Sequence, residues 1–270
     1  MASEPLLEIN GKIYRITDRI NRKPLRKTYM VRFVIRCIIY VISLILYIVR
    51  PAQLEPAIDT DWLAPFRSIT FVHIVWVIWV IDMVMQLIPL QKHIPIGSQK
   101  NFKIHFRPIL EKLKDKEVII RHIKLLTARA YKVFVLWAAL IAAIGIAYHF
   151  ELLKPLHLYL FAVTFYVCDL ICVLFWCPFR VFIMKNKCCT TCRIFNWDHL
   201  MMFSPMLFLR SIFAWSLILL AIIVWAIWEI TAIMYPERFI MHTNSRLKCS
   251  ECTDRLCRKP RGDKIEPAMK

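Results

Sequence analysis

The sequence predicts an all-α polytopic membrane protein, and three observations predict it. Hydrophobic residues make up 59% of the 270 residues, with a mean hydropathy of +0.51, above the roughly 45–50% apolar content of soluble domains. Several apolar stretches reach the about 20 residues that cross a hydrocarbon core of about 30 Å. The net charge of +18 is placed unevenly between those stretches. Five clear spans follow, with a sixth short leg as an alternative, together with cytosolic amphipathic helices.

The elements are justified in chain order. Residues 1–30 form a basic segment in which Ile9, Ile13, Ile16 and Ile20 recur at helical spacing among Lys12, Arg15 and Arg19, and Pro24 ends the pattern. An amphipathic helix on the membrane surface is expected there, and the polar start shows no signal peptide. The first transmembrane pair, 31–90, holds spans at 31–49 and 69–90. Arg32 and Arg36 lie near the start of the first span, where long basic side chains can snorkel to the interface. The loop 91–130 is basic, and Ile109, Leu113, Ile120 and Ile123 alternate with Lys112, Lys116 and Lys124 after Pro108. A second amphipathic helix starting at that proline is expected. The second transmembrane pair, 131–184, holds spans at about 133–153 and 156–184. A cysteine-containing loop (185–198), membrane segment or segments (199–236) and a basic cysteine-containing tail (237–270) complete the chain.

Charge orients these spans, because Lys and Arg accumulate in cytoplasmic loops. Residues 1–30 carry seven Lys/Arg and 91–130 carry ten, whereas 51–68 carries only Arg67 beside Glu55, Asp59 and Asp61. The N-terminus is therefore expected in the cytosol, in an integral, multi-pass protein. The tail carries nine Lys/Arg against five acids, and so favours the cytosol as well. One crossing after residue 198 would put it outside. A helix over 196–235 would be about 60 Å long, twice the need of one span. Either a short leg ending at Arg210 and Ser211 crosses and the tail returns, or 196–209 lies in the interface and the tail is outside. The basic helices fit anionic headgroups of the bilayer, a membrane-protein partner is compatible with the architecture, and topology accounts for the charge without nucleic acid.

The most specific chemistry lies in two cysteine groups, Cys188-Cys189-Thr190-Thr191-Cys192 and Cys249-Ser250-Glu251-Cys252 followed by Cys257. Thiolates separated by two residues close on one zinc ion or enter an iron–sulfur cluster. Cys189, Cys192, Cys249 and Cys252 together make a four-sulfur set, with Cys188, Cys177 and Cys257 as further candidates. Redox-active dithiols and unligated surface cysteines are the competing readings. Cys37, Cys168 and Cys172 fall inside spans, where cysteine packs as a small hydrophobe.

Asp82, Asp169 and Glu229 are acids within spans, where a charge costs at least about 2.5–3.5 kcal/mol and so tends to be paired, protonated or wet. They form either a polar transport path or interhelical hydrogen bonds, and His73 is the best-placed cationic partner. His149 and His157 flank one turn as a weaker haem or metal pair. Arg193, Asn196, Asp198 and His199 follow the first cysteine group, and suit a lipid headgroup, the outer support of a metal site or an interfacial helix start. Asp198-His199 lacks the second His and the Cys of the Asp-His-His-Cys palmitoyltransferases, which excludes that family. Glycine-rich phosphate loops, HExxH and paired-carboxylate signatures are absent from the sequence, so no reaction is legible.

The string Trp176-Cys177-Pro178-Phe179, Cys188-Cys189-Thr190-Thr191-Cys192-Arg193, Asn196-Trp197-Asp198 and Cys249-Ser250-Glu251-Cys252 resembles an uncharacterised group of prokaryotic polytopic membrane proteins. The resemblance covers about residues 170–260 and implies no activity. A fainter similarity is to membrane-anchored ferredoxins of the nitrate-reductase maturation kind, which place a Cys-Pro after a span, although the chain has none of their CxxCxxCxxxCP runs.

Overall fold

The computed structural model describes residues 6–9, 12–15, 26–59, 69–88, 97–109, 116–186, 188–248 and 256. Apolar composition over helical lengths dictates its main elements: α1 (Arg26–Val49), α2 (Phe71–Leu87), α3 (Lys116–His149), α4 (Pro155–Leu174), the short α5 (Asp198–Phe203) and α6 (Ile212–Met234). Four of these, α1, α3, α4 and α6, are long and apolar enough to cross a membrane, and α2 is a shorter apolar helix. Rows of exposed Val, Ile and Leu along α1, α3 and α6 fit lipid contact.

Three expectations need correction. Residues 6–15 contain no amphipathic helix: β1 (Leu6–Ile9) and β2 (Lys12–Arg15) pair antiparallel, with Ile9 opposite Lys12. The two residues between them are Asn10-Gly11, the pair that favours a two-residue hairpin turn. The spacing of Ile9 and Ile13 fits a helical period, but the strand pairing prevails there; Ile16, Ile20 and Pro24 lie outside the described residues. In the second correction, Pro108 does not start a helix. It forms an isolated antiparallel bridge with Asn244, Lys112 and Leu113 lie outside the described residues, and the basic repeat from Lys116 onward is the first part of α3 itself. That helix is about 51 Å long at 1.5 Å per residue, so its basic part continues the apolar part instead of lying separately on the surface. In the third, the fourth apolar stretch ends at Leu174, not near 184. The chain breaks before Pro178, which has no N–H to offer a continuing helix, and restarts as a π-helical turn over Phe179–Met184.

Segment 193–209 runs beside α3. Trp197 meets the ring of Phe134, Trp137 Nε1 donates to Ser204 Oγ at 2.9 Å, and Phe208 lies against Tyr148 and Gly145. The segment therefore travels from the level of residue 134 to that of residue 148. α6 then runs back, since Ser211 Oγ reaches the Pro56 carbonyl at 3.4 Å and Glu229 meets Arg193. The chain after α6 packs on the loop before α3: Ile109 N donates to Thr243 O and Ser245 N to Arg107 O, each at 2.9 Å. Residues 237–248 and 97–109 thus share one end of the molecule.

The core binds α2, α4, α5 and α6 through Trp79, Tyr159, Phe203, Leu217 and Trp228, among others. Gly145 lets α3 pack tightly on the 193–209 segment, because an added Cβ would clash with the Phe208 ring. Gly145→Ala is expected to destabilise the protein by about 1–3 kcal/mol through overpacking, measured by steric trapping or denaturant titration in micelles. Unchanged stability would show that the Phe208 ring moves aside freely.

Candidate functional site

Two polar assemblies adjoin at the end of the molecule that also holds residues 97–109. The first is built from charged residues on four elements. α1 brings Arg36, α2 Asp82 and Gln86, α4 Tyr166 and Asp169, and α5 Asp198 and His199. Arg36 is 6% exposed. Its Nη1 donates to Asp169 Oδ2 and to the Tyr166 carbonyl, both at 2.7 Å, while Nη2 lies 3.6 Å from Asp82 Oδ2. The guanidinium also stacks 3.9 Å from the Tyr166 ring centroid, a cation–π contact. Tyr166 OH donates to Asp82 Oδ2 at 2.8 Å. Gln86 Nε2 donates to Asp198 Oδ2 at 2.8 Å, and His199 Nδ1 lies 3.2 Å from Asp198 Oδ1.

Sequence reasoning read Arg36 as snorkelling outward and His73 as the partner of Asp82; the structure corrects both. Arg36 points into the bundle because Asp169 and Asp82 converge there. His73 instead caps the start of α2, where Thr70 N donates to its Nδ1 at 3.0 Å. The His149 and His157 pairing is also overturned: His157 accepts from Lys154 N at 2.9 Å and meets Tyr47 OH at 2.8 Å, whereas His149 stacks on Phe150. Tyr166 and Gln86 carry no sequence signal of this role, whereas an arginine several residues inside an apolar run, as Arg36 is, is itself a signal of an internal partner.

Glu229 does not join this assembly. Arg193 binds it with two parallel donors at 2.6 and 2.5 Å, and Trp197 Nε1 adds a third at 2.6 Å. The Arg193 side chain is 8% exposed and Asn196, Asp198 and His199 are enclosed as well, which removes these four from headgroup binding.

The second assembly is made of thiols. Because α4 stops at Leu174 and the chain turns at Pro178, Cys177 comes back over the helix end, where Arg180 N donates to its Sγ at 3.4 Å. The Cys172 thiol and the Cys189 thiol each hydrogen-bond Cys177, and Cys189 Sγ also approaches the Cys172 carbonyl at 3.0 Å. Cys172, read from sequence as a packing residue, is thus in contact with Cys177. Donated hydrogen bonds, from Cys172 first and Cys189 second, hold the Cys177 thiol well below the usual thiol range. The hydrogen bond to Cys177, reinforced by burial, pushes the Cys189 thiol up, and burial pushes Cys192 up to about 12.

A cluster of this kind favours one thiolate, on Cys177. Its reaction with a small uncharged alkylating reagent is expected to vary little as pH falls through neutrality. An ordinary thiol, with a pKa of about 8.5, slows about tenfold per unit below that value. Replacing Cys172 by alanine removes a donor and should restore the steep profile, read by mass spectrometry of the labelled peptide. A steep profile in the unaltered protein would refute the single thiolate.

Cys249, Cys252 and Cys257 lie outside the described residues. Among the described residues, no three His, Cys, Asp or Glu side chains are arranged to hold a metal ion. Leu256, however, packs against Tyr29 and Leu170 beside Val173 and Leu174 at the end of α4, and Gly97–Asn101 lies against Cys189–Thr191. No protein-family model, curated protein or solved structure matches the chain, so the candidate site stands on the geometry of its own residues.

Proposed function

We propose that the protein is a multi-pass membrane protein whose centre is a cysteine-thiolate metal site, zinc or iron–sulfur, joining the loop 185–198 to the C-terminal tail. The observation that carries this reading is the seat of Leu256 on Tyr29 and Leu170 at the end of α4. Cys257 is the next residue and Cys252 lies four before Leu256 in the sequence, while Cys172 lies in the last turn of the same helix and the Cys177 and Cys189 thiols hydrogen-bond around it. Cys189, Cys192, Cys249 and Cys252 are the proposed ligands, with Cys177, Cys188 and Cys257 beside them. The described thiols do not make a site alone, and in this reading the tail supplies the remaining ligands. Binding would stabilise the junction, because thiolates gathered from distant segments are held together only while the metal is bound. Zinc would act structurally; an iron–sulfur cluster would carry electrons.

The same reading requires six passes, with 193–209 as the fifth and α2 as a short second span. Its support is the course of 193–209 along α3 and the contact of 237–248 with 97–109. The basic character of 1–30, 91–130 and the tail supports a cytosolic side for the end that holds 97–109 and 237–248. α3 keeps Lys116, Arg121, Lys124 and Lys132 exposed, in keeping with attraction to anionic headgroups.

Metal analysis of purified protein tests the proposal. Stoichiometric zinc or iron with sulfide is expected, lost in Cys189→Ser and Cys252→Ser but kept in Cys37→Ser. Metal-free protein with reactive thiols at all four positions would refute it. Labelling of Cys252 in intact cells by an impermeant thiol reagent would separately refute the shared cytosolic face.

A further inference from the structure

The charge assembly on α1, α2, α4 and α5 adjoins the thiols through Cys172 but includes none of the proposed metal ligands. Among the described residues, three carboxylates, Asp82, Asp169 and Asp198, gather about one permanent cation, Arg36. With His199 neutral the group carries two excess negative charges; with His199 protonated it carries one; a further proton on a carboxyl makes it neutral. Tyr166 OH and Gln86 add hydrogen bonds but no charge, and Cys168 and Cys172 flank Asp169 as neutral thiols. An uncompensated charge in a low-dielectric interior is costly, and such groups relieve it by taking up protons.

His199 supplies a second, independent observation. Its ring is 3% exposed, Nδ1 faces Asp198, and Nε2 has no hydrogen-bond partner among the described residues. A neutral imidazole with its hydrogen on Nδ1 donates to Asp198 and leaves Nε2 as a bare acceptor, the position that takes a proton. Arg36 supplies the response. It holds Asp169 at 2.7 Å and Asp82 at 3.6 Å, so neutralising Asp169 weakens the shorter contact and leaves Asp82 to draw the guanidinium across.

We propose that Arg36, Asp82, Asp169, Asp198 and His199 form a reversible proton-binding centre, with His199 Nε2 as first acceptor and Asp169, joined through Arg36 to Asp82, as second. Each uptake takes one proton from the aqueous phase and raises the charge of the centre by one; release returns the proton and restores the charge. Redistribution of Arg36 between α2 and α4 transmits that change to the helices. A centre of this kind serves proton-coupled movement of a solute, or proton uptake that accompanies electron transfer.

The test uses full-length protein in lipid nanodiscs. Infrared spectra with 13C-labelled aspartate are recorded between about pH 5 and pH 8, a range in which solvated aspartates, with pKa of about 3.9, are ionised. A label-sensitive carbonyl stretch of a protonated carboxyl, growing towards acid pH, is expected, and Asp169→Asn should remove it. Ring-15N histidine signals, assigned by their loss in His199→Gln, should titrate in the same range, and Asp198→Asn should lower the proton affinity of His199 at least tenfold. Glu151→Gln, on the turn after α3, is the control and should leave both signals unchanged. The wild-type infrared titration needs no substitution, so it decides the matter even where a variant fails to fold. A spectrum without any protonated aspartate across the range, or a His199 ring held in one protonation state, would overturn the proposal.

Discussion

Arg36→Leu is expected to cost about 3–5 kcal/mol of stability, the range for breaking a buried ion pair by deleting one partner. The cost arises from what remains. Asp169 loses its donor at 2.7 Å, the Tyr166 carbonyl loses another, and Asp82 keeps only the Tyr166 hydroxyl. Two acids would then share an enclosed site without a cation, and one must take a proton or draw in water. Arg36→Lys should recover only part of the loss, since an ammonium cannot present a planar fork to Asp169 and Asp82 while stacking on the Tyr166 ring. The double substitution Arg36→Leu with Asp169→Asn should be more stable than Arg36→Leu alone, because it removes the stranded charge. Unfolding measured by steric trapping in micelles provides the cycle. A loss below about 1 kcal/mol for Arg36→Leu would mean that the guanidinium is solvated, as an exposed pair would be.

The second large effect is expected at Arg193. Its two bonds to Glu229, with the Trp197 indole as third donor, fasten the start of the 193–209 segment to the end of α6. Arg193→Leu leaves Glu229 with the indole alone and should again cost about 3–5 kcal/mol. Replacing both members, Arg193→Leu with Glu229→Leu, should return much of that loss, since desolvation of two ions disappears along with their attraction. Loosening of this joint also has a local readout. Cys192 is packed with Ile194 and Trp197 against Ala130, Val133 and Met184, so the single substitution should speed labelling of Cys192 while the double should not. Equal labelling in all three proteins would separate the ion pair from the thiol assembly.

Much of the architecture was legible as lengths of apolar sequence. The stretches at 31–49, 133–153 and 213–234 fall within α1, α3 and α6, give or take a few residues, because a run of branched and aromatic side chains has few other stable forms. Boundaries failed where a local backbone signal outweighed the apolar run: Pro178 ended α4 early, and Asn10-Gly11 supports a hairpin where isoleucine spacing read as helix. Asp82 and Asp169 stood out because acids inside spans are costly. Arg36 was misread because its distance from the span end fits snorkelling as well as burial, and only the facing acids distinguish the two. Cys172 was misread for a similar reason, since its neighbour Cys177 approaches only after the chain has turned at Pro178.

Local composition is enough to make the protein a helical membrane protein with unevenly distributed basic segments. The tertiary structure alone decided the fold-back of 193–209 along α3, the union of Asp82 and Asp169 with Arg36, Asp198 and His199, and the diversion of Glu229 to Arg193. These depend on how far each helix is rotated about its axis and how deeply it sits beside its neighbours. Such relations join residues 36 and 169 or 193 and 229 across the bundle, and packing of the whole core sets them, whereas hydrophobic periodicity within one segment constrains only which face turns inward.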